Sequence, residues 1–121
     1  MSMEIQGLSE LNAKLSQLAR IAPETAKSEL ADIAMDLGSK SSDRAPIELG
    51  DLRGDLARPQ KEDDFTWAVG SGLPYAVRQH EHTEYNHPRG GEAKFLEKSF
   101  NENQQNYIDE IGNAIARALG L

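Results

Sequence analysis

The stretch from Glu92 to Leu119, EAKFLEKSFNENQQNYIDEIGNAIARAL, decides the fold of this chain because it predicts one long C-terminal helix. Its apolar residues recur at the three- and four-residue spacing of one helical face. They are Leu96, Phe100, Tyr107, Ile108, Ile111, Ile115 and Leu119. Such a helix would span about 40 Å. Its middle, Asn101 to Asn106, is wholly polar, so we expect that part either to face solvent or to kink.

The N-terminal part of the chain also shows helical spacing, in two successive segments. Leu8, Leu11, Leu15 and Leu18 mark the first, and Pro23 is typical of the first residue of the second. The apolar face of that second helix comprises Ala26, Leu30, Ile33, Ala34 and Leu37. Ala45-Pro46 ends it, since a residue before proline avoids the helical region. We therefore predict a helical part at about 8–44, folded as a hairpin or one bent helix.

The region between these helical parts predicts a small β-ribbon at about 52–70. Leu52, Gly54 and Leu56 alternate with polar or small residues, which is typical of a half-buried strand. Residues 59–64 form a polar connection, and Phe65, Trp67 and Val69 then alternate in the clearest strand pattern of the chain. We expect Phe95 and Leu96 to anchor the long helix against these three residues. The predicted fold class is α+β, with N-terminal helices, a small antiparallel β-ribbon or sheet, and a long C-terminal helix.

Composition limits the classes of function. The 121 residues suit one domain, 1–121, and the net charge is −7 without a basic cluster. Nucleic acids and anionic membrane surfaces are therefore disfavoured as partners, whereas basic protein patches are favoured. The chain has no cysteine, which excludes disulfides and thiolate chemistry. The N-terminal residues lack a signal-peptide pattern and no apolar run is long enough for a membrane span, so we expect a cytoplasm-like setting.

The histidines provide the main argument for an enzyme. His80, His82 and His87 lie in or next to a polar loop predicted at 81–91, interleaved with Glu81 and Glu84. A His-x-His pair on an extended stretch places both imidazoles on one side, and a third ligand could complete a metal site. The alternative is a histidine-rich polar loop exposed to solvent. No HExxH pattern accompanies these residues.

Other catalytic patterns are missing from the sequence. Asp63-Asp64 and Asp109-Glu110 fall in a polar turn and on an amphipathic helix, where solvated carboxylates are expected. Neither a nucleophile elbow nor a phosphate-binding glycine loop is present. We therefore predict no catalytic residue, no cofactor and no enzymatic activity, with the three histidines as weak metal candidates.

Three separated pieces of sequence stand out as a set: APIELGDLR at 45–53, PYAVRQHE at 74–81 and GGEAKFLE at 90–97. In order and spacing they resemble a family of small tailed-bacteriophage proteins known as minor capsid, head–tail joining or tail-completion proteins. Family members typically show a helical N-terminal part, an Ala-Pro turn with a Gly-x-Leu-Arg step, a β-ribbon, a Tyr-Ala…His-Glu segment and a Lys-Phe-Leu-Glu entry into the last helix. The resemblance covers about Ala26 to the C terminus, and earlier residues match only in helical character.

The resemblance implies a non-enzymatic virion component that is assembled in the bacterial host cytoplasm. It implies a homo-oligomeric ring and, as partners, other phage neck, connector or tail proteins. Strand edges around 52–58 or 65–70 would then pair between subunits. Candidate partner contacts are Arg53, His82, Glu84, Tyr85, His87 and Arg89, of which Arg53 could instead place its guanidinium across its own turn. Two alternatives from other classes stay open: a small metal-dependent enzyme using the histidines, and a host regulatory or antitoxin-like binding module.

Overall fold

A computed structural model of the chain describes residues 8–46, 50–70 and 94–121. Within these ranges the protein has four helices and one two-stranded antiparallel sheet, which confirms the α+β fold class. The elements are α1 (Leu8–Ile21), α2 (Pro23–Arg44), α3 (Gly50–Leu56), β1 (Gln60–Asp63), β2 (Thr66–Ala68) and α4 (Phe95–Ala118).

Helices α1, α2 and α4 form a three-helix bundle around one apolar core. The residues of this bundle core are Leu11, Leu18, Ala26, Ile33, Phe100, Tyr107, Ile108, Ile111, Ala114 and Ile115. Only Ala22 separates α1 from α2, and Pro23 occupies the start of α2, where its missing N–H breaks no helical hydrogen bond. The two helices lie side by side, since Leu15 and Leu30 line one groove between them. The predicted helical hairpin is therefore the observed arrangement.

Helices α2 and α4 run antiparallel for most of their length. Glu29 near the start of α2 lies beside Arg117 near the end of α4, and Arg44 at the end of α2 pairs with Glu102. The polar middle of α4 is helical throughout and largely faces solvent, as one of the two expectations had it, since Glu102, Gln105 and Asn106 are exposed and no residue of 101–106 is buried. Asn103 within it accepts a hydrogen bond from Lys40 of α2 at 2.9 Å. Helix α4 is continuous from Phe95, three residues after the predicted start.

The strand predicted at residues 52–56 is wrong, because these residues form helix α3. Leu52 and Leu56 are both fully buried, and their four-residue separation places them on one face of a helix. The alternation that suggested a strand depended on Gly54, which has no apolar side chain to bury. Helix α3 approaches α2 closely at Gly38, where a Cβ atom would lie 2.6 Å from the carbonyl oxygen of Leu56.

The β-ribbon is shorter and later than predicted, since it occupies residues 60–68 rather than 52–70. Strand β1 lies inside the stretch predicted as a polar connection, and all four of its side chains are exposed. Gln60 pairs with Ala68 and Lys61 with Trp67, and a bulge follows before Asp63 pairs with Thr66. An exposed strand has no buried face to impose apolar alternation, so the sequence pattern gave no sign of β1.

Phe65 does not pack where the sequence predicted it. It lies in the turn between β1 and β2 and is 48% exposed, so it does not anchor α4. Of the three ribbon residues predicted to contact Phe95 and Leu96, Val69 packs against their cluster. No helix in the described parts of the chain is long and apolar enough to cross a membrane.

Candidate functional site

A second apolar cluster lies where α2 ends, α3 follows and α4 begins. This anchor cluster consists of Ala45, Leu52, Leu56, Phe95 and Leu96. Phe95, the first residue of α4, is fully buried in it. Leu37 packs against both the anchor cluster and the bundle core, so one residue of α2 connects the two apolar regions.

The anchor cluster also fixes both ends of the segment that contains the predicted partner contacts. Val69, two residues before segment 71–93, packs against the cluster, and Phe95, two residues after it, belongs to the cluster. Pro46 and Leu52, on either side of residues 47–49, are both fully buried, and Leu52 belongs to the cluster. Described residues on both sides of segment 71–93 therefore meet at one small apolar site at the end of the long α2–α4 pair.

Lys94 adopts a backbone conformation that side chains other than glycine rarely take. Its φ angle is 57°, in the left-handed region, and no side chain caps the start of α4. This conformation costs about 1 kcal/mol for a residue with a Cβ atom. Burial of the neighbouring Phe95 offsets that cost, so the return of the chain into α4 is fixed by packing rather than by local preference.

Arg53 spans from α3 to the C-terminal end of α2. Its Nε donates to the carbonyl oxygen of Ser42 at 2.7 Å, and its Nη2 donates to that of Asp43 at 2.9 Å. Ser42 Oγ donates in return to the carbonyl oxygen of Arg53 at 2.8 Å. A cation at this position donates to carbonyl groups in the last turn of α2, where few helical N–H partners remain, and is favoured by the negative end of the helix dipole. Arg53 thus stabilises the α2–α3 junction.

Polar side chains join α2 and α4 at the middle of the bundle. Tyr107 Oη donates to Asp36 Oδ2 at 2.6 Å, and Lys40 Nζ donates to the same carboxylate oxygen at 2.9 Å. Lys40 also donates to Asn103 Oδ1, whose amide nitrogen in turn donates to the carbonyl oxygen of Ser99 at 2.7 Å. These contacts form one connected network between the two helices, which we call the seam network.

The seam network shifts the pKa values of its two acidic groups in opposite directions. Burial raises the pKa of Tyr107, and donation of its hydroxyl proton to Asp36 raises it further. Burial also raises the pKa of Asp36, but hydrogen bonds from Lys40 and Tyr107 lower it by more. The pKa of Asp36 therefore lies below its ordinary value of 3.8. At neutral pH the tyrosine is a neutral donor to an ionised carboxylate, which is a strong type of hydrogen bond.

An acidic groove runs along the same side of α2 and α4. It consists of two adjoining recesses of about 540 and 310 Å³ that share Asp32, Glu110 and Asn113. Asp36 and Asp109 line the first recess, with Lys40 as its one cation. Glu29 and Arg117 line the second, with side chains that approach to 3.9 Å. Carboxylates outnumber cations in this groove, in keeping with the net charge of the chain.

The acidic groove should destabilise the folded protein slightly at neutral pH. Burial raises the pKa of Glu29, and the charges of Glu110 and Asp32 raise it further, against the opposing effect of Arg117. A raised carboxyl pKa means that the ionised form is disfavoured in the folded state, and that the penalty disappears as pH falls through this pKa. We expect Glu29→Gln to increase the free energy of unfolding at pH 7 by about 0.5 kcal/mol after solvent screening.

Urea unfolding at pH 7 and at pH 4 would measure this effect. The increase in free energy of unfolding caused by Glu29→Gln should be present at pH 7. It should be smaller at pH 4, where wild-type Glu29 is protonated to a greater extent than at pH 7. Glu62→Gln provides a matched control, because Glu62 is exposed on β1 and lies outside the groove. Equal stability of wild type and Glu29→Gln at pH 7 would contradict the expected repulsion.

Most of the predicted site residues fall outside the described parts of the chain. His80, His82, His87, Glu84, Tyr85 and Arg89 all do so. Within the ranges 8–46, 50–70 and 94–121, no group of three or more histidines or carboxylates is arranged to hold a metal ion. All three histidines lie outside these ranges, so their role as metal ligands stays a prediction.

The seam network and the acidic groove were not anticipated from the sequence. The available signal was Asp32, Asp36 and Lys40 at four-residue intervals on α2, which places them on one helical face. That spacing does not reveal that Tyr107 and Glu110, more than seventy residues later, face them. Among the described residues, the sequence correctly predicted that Phe95 and Leu96 pack inside the protein. It did not predict these polar contacts between the helices.

Comparison with known proteins returned no match: no family model, curated protein or solved structure is significantly similar to this chain.

Proposed function

We propose that this chain is a non-enzymatic structural component of a tailed-phage or prophage virion that acts in head–tail joining or tail completion. The observation that carries the proposal is the make-up of the anchor cluster. Ala45 and Leu52 come from the first of the three phage-like pieces of sequence, and Phe95 and Leu96 come from the third. Two pieces separated by more than thirty residues therefore form one physical unit, as expected if both belong to one family pattern.

Arg53, also from the first piece, supports the same proposal. In the resemblance it belongs to the Gly-x-Leu-Arg step, and in the structure its guanidinium joins α3 to the carbonyl groups of Ser42 and Asp43. A planar guanidinium can donate to two carbonyl oxygens at once, which lysine cannot do with the same geometry. The contacts of Arg53 in this structure thus explain the arginine of the Gly-x-Leu-Arg step in physical terms. Its prediction as a partner contact stays a prediction, because part of its donor capacity already serves this junction.

The position of the anchor cluster suits a protein that binds partners through segment 71–93. Both ends of this segment are tied to one buried site on a long helical pair. Fixing the ends of a binding segment reduces the conformational entropy that it loses on association. We propose His82, Glu84, Tyr85, His87 and Arg89 as contact residues within it.

Ring assembly would use a different surface from the partner contacts. A ring needs a heterologous interface, in which one patch of a subunit meets a different patch of the next. The strand edge proposed at 52–58 is not available, since residues 50–56 are helical. The candidate that remains is the β-ribbon at 60–68, together with the acidic groove, whose carboxylates favour a basic patch on a neighbour.

Sedimentation velocity over a wide concentration range, with and without any connector or tail proteins encoded beside this gene, would test the proposal. We expect a closed oligomer or a stable complex with one of these proteins. A chain that stays monomeric at high concentration and binds none of them would refute the proposed role.

A variant pair would locate the partner contacts. We expect His82→Ala combined with His87→Ala to weaken partner binding by about tenfold or more, since central contact residues typically contribute at that level. Gln17→Ala, an exposed change on α1, should leave binding unchanged. Calorimetry with zinc on the same proteins separates a metal role from a contact role, because zinc binding that the double variant abolishes would favour the metal alternative.

A further inference from the structure

One lysine of α2, Lys27, contacts the turn of the β-ribbon. Lys27 Nζ lies 3.4 Å from Asp64 Oδ2 and 5.7 Å from the centroid of the Phe65 ring. Asp64 and Phe65 are the two residues between β1 and β2. The same ammonium group is also 3.0 Å from Glu24 Oε1, one turn earlier in α2. One cation therefore contacts both residues of the turn and is oriented by a carboxylate of its own helix.

These contacts are exposed and individually weak. The side chains of Lys27 and Asp64 are 30% and 58% exposed, and Phe65 is 48% exposed. Exposed ion pairs and exposed cation–π contacts contribute little because water and salt screen them. A two-stranded ribbon is also only marginally stable without support from the rest of the protein. Loss of the lysine contacts should therefore free the tip of the ribbon.

The bundle does not depend on the ribbon for its own stability. The bundle core contains residues of α1, α2 and α4 and none of β1 or β2. Among the described residues, Val69, which directly follows β2, packs against the anchor cluster, and no residue of 60–68 belongs to that cluster. Detachment of the tip therefore removes no side chain from either buried cluster.

Phe65 lies at a groove between α1 and α2. The groove has a volume of about 230 Å³ and is lined mainly by apolar side chains, among them Leu15, Ala19, Ala26 and Leu30. Phe65 completes this lining from the ribbon side. The ring thus shields apolar surface of the bundle while remaining half exposed itself.

We propose that the tip of the β-ribbon is a releasable strap, held by Lys27 over the α1–α2 groove, and that its release uncovers the groove while the helical bundle stays folded. The strap is a property of the isolated subunit and does not depend on the proposed virion role. Because ion pairing holds it, salt or a competing charged group on another protein would shift it toward the released state.

Amide hydrogen exchange of Lys27→Met compared with wild type would test this proposal. Methionine keeps the length of the side chain but removes the charge. We expect exchange in residues 60–68 to accelerate by about three- to thirtyfold, the combined effect of an exposed ion pair and an exposed cation–π contact. Exchange in α1 and α4 should not change. Acrylamide quenching of Trp67, the single tryptophan, should increase in parallel.

Two controls separate the strap from other effects of the substitution. Glu24→Gln removes the pair within α2 but leaves the contacts of Lys27 with the turn, so it should accelerate ribbon exchange less than Lys27→Met. Lys14→Met makes the same change on α1, where the side chain faces α4 instead of the ribbon, and should have no effect on the ribbon. Asp64→Asn should also accelerate ribbon exchange, but it is a less specific change than Lys27→Met, because Asp64 pairs with Lys61 at 3.2 Å as well as with Lys27.

Two results of the exchange experiment would overturn the proposal. One is unchanged exchange of residues 60–68 in Lys27→Met. The other is equal acceleration throughout the bundle, because the ribbon would then belong to the same cooperative unit as the helices. In wild type, high sodium chloride should reproduce part of the Lys27→Met effect on Trp67 quenching, and an absence of any salt response would equally contradict a strap held by charge.

Discussion

Replacing Phe95 by alanine is expected to lower the free energy of unfolding by about 3–5 kcal/mol. Phe95 is fully buried in the anchor cluster, beside Leu52 and Leu56 of α3. Truncation removes its transfer free energy and leaves a cavity where α2, α3 and α4 meet. Folded proteins of this size are stable by only about 5–15 kcal/mol, so the loss is a large part of the total.

The Phe95→Ala effect should appear in both parts of the molecule. Leu37 packs on the anchor cluster and on the bundle core, and α2 and α4 each extend through both regions. We therefore expect one cooperative transition, with the urea midpoints from far-ultraviolet circular dichroism and from Trp67 fluorescence shifted together. If the Trp67 midpoint moved alone, the ribbon that contains Trp67 would unfold independently of the bundle, which would contradict one cooperative transition.

Phe65→Ala provides a matched control for this prediction, since it makes the same chemical change at a half-exposed site. Phe65 is 48% exposed and belongs to neither buried cluster. We expect Phe65→Ala to lower the free energy of unfolding by about 1 kcal/mol or less, as for surface substitutions in general. Similar losses for the two variants would show that Phe95 does not have the role assigned to it.

Phe95→Ala also tests the proposed function, because the anchor cluster fixes the ends of segment 71–93. A variant that remains folded at low temperature should bind connector or tail partners more weakly than wild type, although no predicted contact residue has changed. Normal binding by folded Phe95→Ala would mean that the cluster contributes to stability alone.

The three long helices could be predicted from the sequence because their buried positions follow a strong period. Leu11 and Leu18 on α1 and Ile108, Ile111 and Ile115 on α4 are all in the bundle core, as their spacing indicated. Periodicity of this kind is a local property of the sequence, so it can be recognised without knowing the partner helix. The helix bounds were therefore correct to within a few residues.

Neither helix α3 nor strand β1 could be predicted from the sequence, and the reasons for the two elements are opposite. Leu52, Gly54 and Leu56 fit a strand as well as a single helical turn, and seven residues are too few for the two periods to be distinguished. The burial of Leu52 and Leu56 in the anchor cluster decides the outcome, and these contacts are tertiary. Strand β1 has only exposed side chains, so its sequence contains no apolar pattern at all.

The polar contacts between α2 and α4 depend on pairs that are distant in sequence. Lys40 reaches Asn103 across 63 residues, and Arg44 reaches Glu102 across 58. A polar run such as residues 101–106 is ordinarily read as a solvated surface, and here part of that run faces polar groups of another helix instead. Only the relative rotation of the two helices, which the apolar faces set, determines which polar residues meet.

Replacing Tyr107 by phenylalanine is expected to lower the free energy of unfolding at pH 7 by about 1.5–3 kcal/mol, the typical contribution of a hydrogen bond to a charged group. The ring of Tyr107 is buried in the bundle core next to Phe100, with centroids 6.1 Å apart, and phenylalanine preserves that packing. The change therefore removes only the hydroxyl that donates to Asp36 at 2.6 Å. Because the Asp36 side chain is 42% exposed, water can replace the hydroxyl in part, so a loss near the lower end is expected.

Asp36→Asn gives the control that assigns this loss to the charged hydrogen bond. Asparagine can still accept from Tyr107 but is neutral, and it also weakens the contact with Lys40. In a double-mutant cycle, Tyr107→Phe and Asp36→Asn should be clearly non-additive because they disrupt the same interaction. Additive losses would mean that the hydroxyl and the carboxylate contribute separately.

The pH dependence of the Tyr107→Phe effect follows from the lowered pKa of Asp36. A carboxyl group with a lowered pKa in the folded state stabilises the protein above its ordinary value of 3.8, and this stabilisation is lost as pH falls through the folded pKa. Without the tyrosine hydroxyl, the pKa of Asp36 should move back toward that ordinary value. The difference in free energy of unfolding between wild type and Tyr107→Phe should therefore have its largest value at pH 7 and should decrease below pH 3.8. A difference that stayed constant down to the acid transition would show that the hydroxyl stabilises the fold without acting through the Asp36 charge.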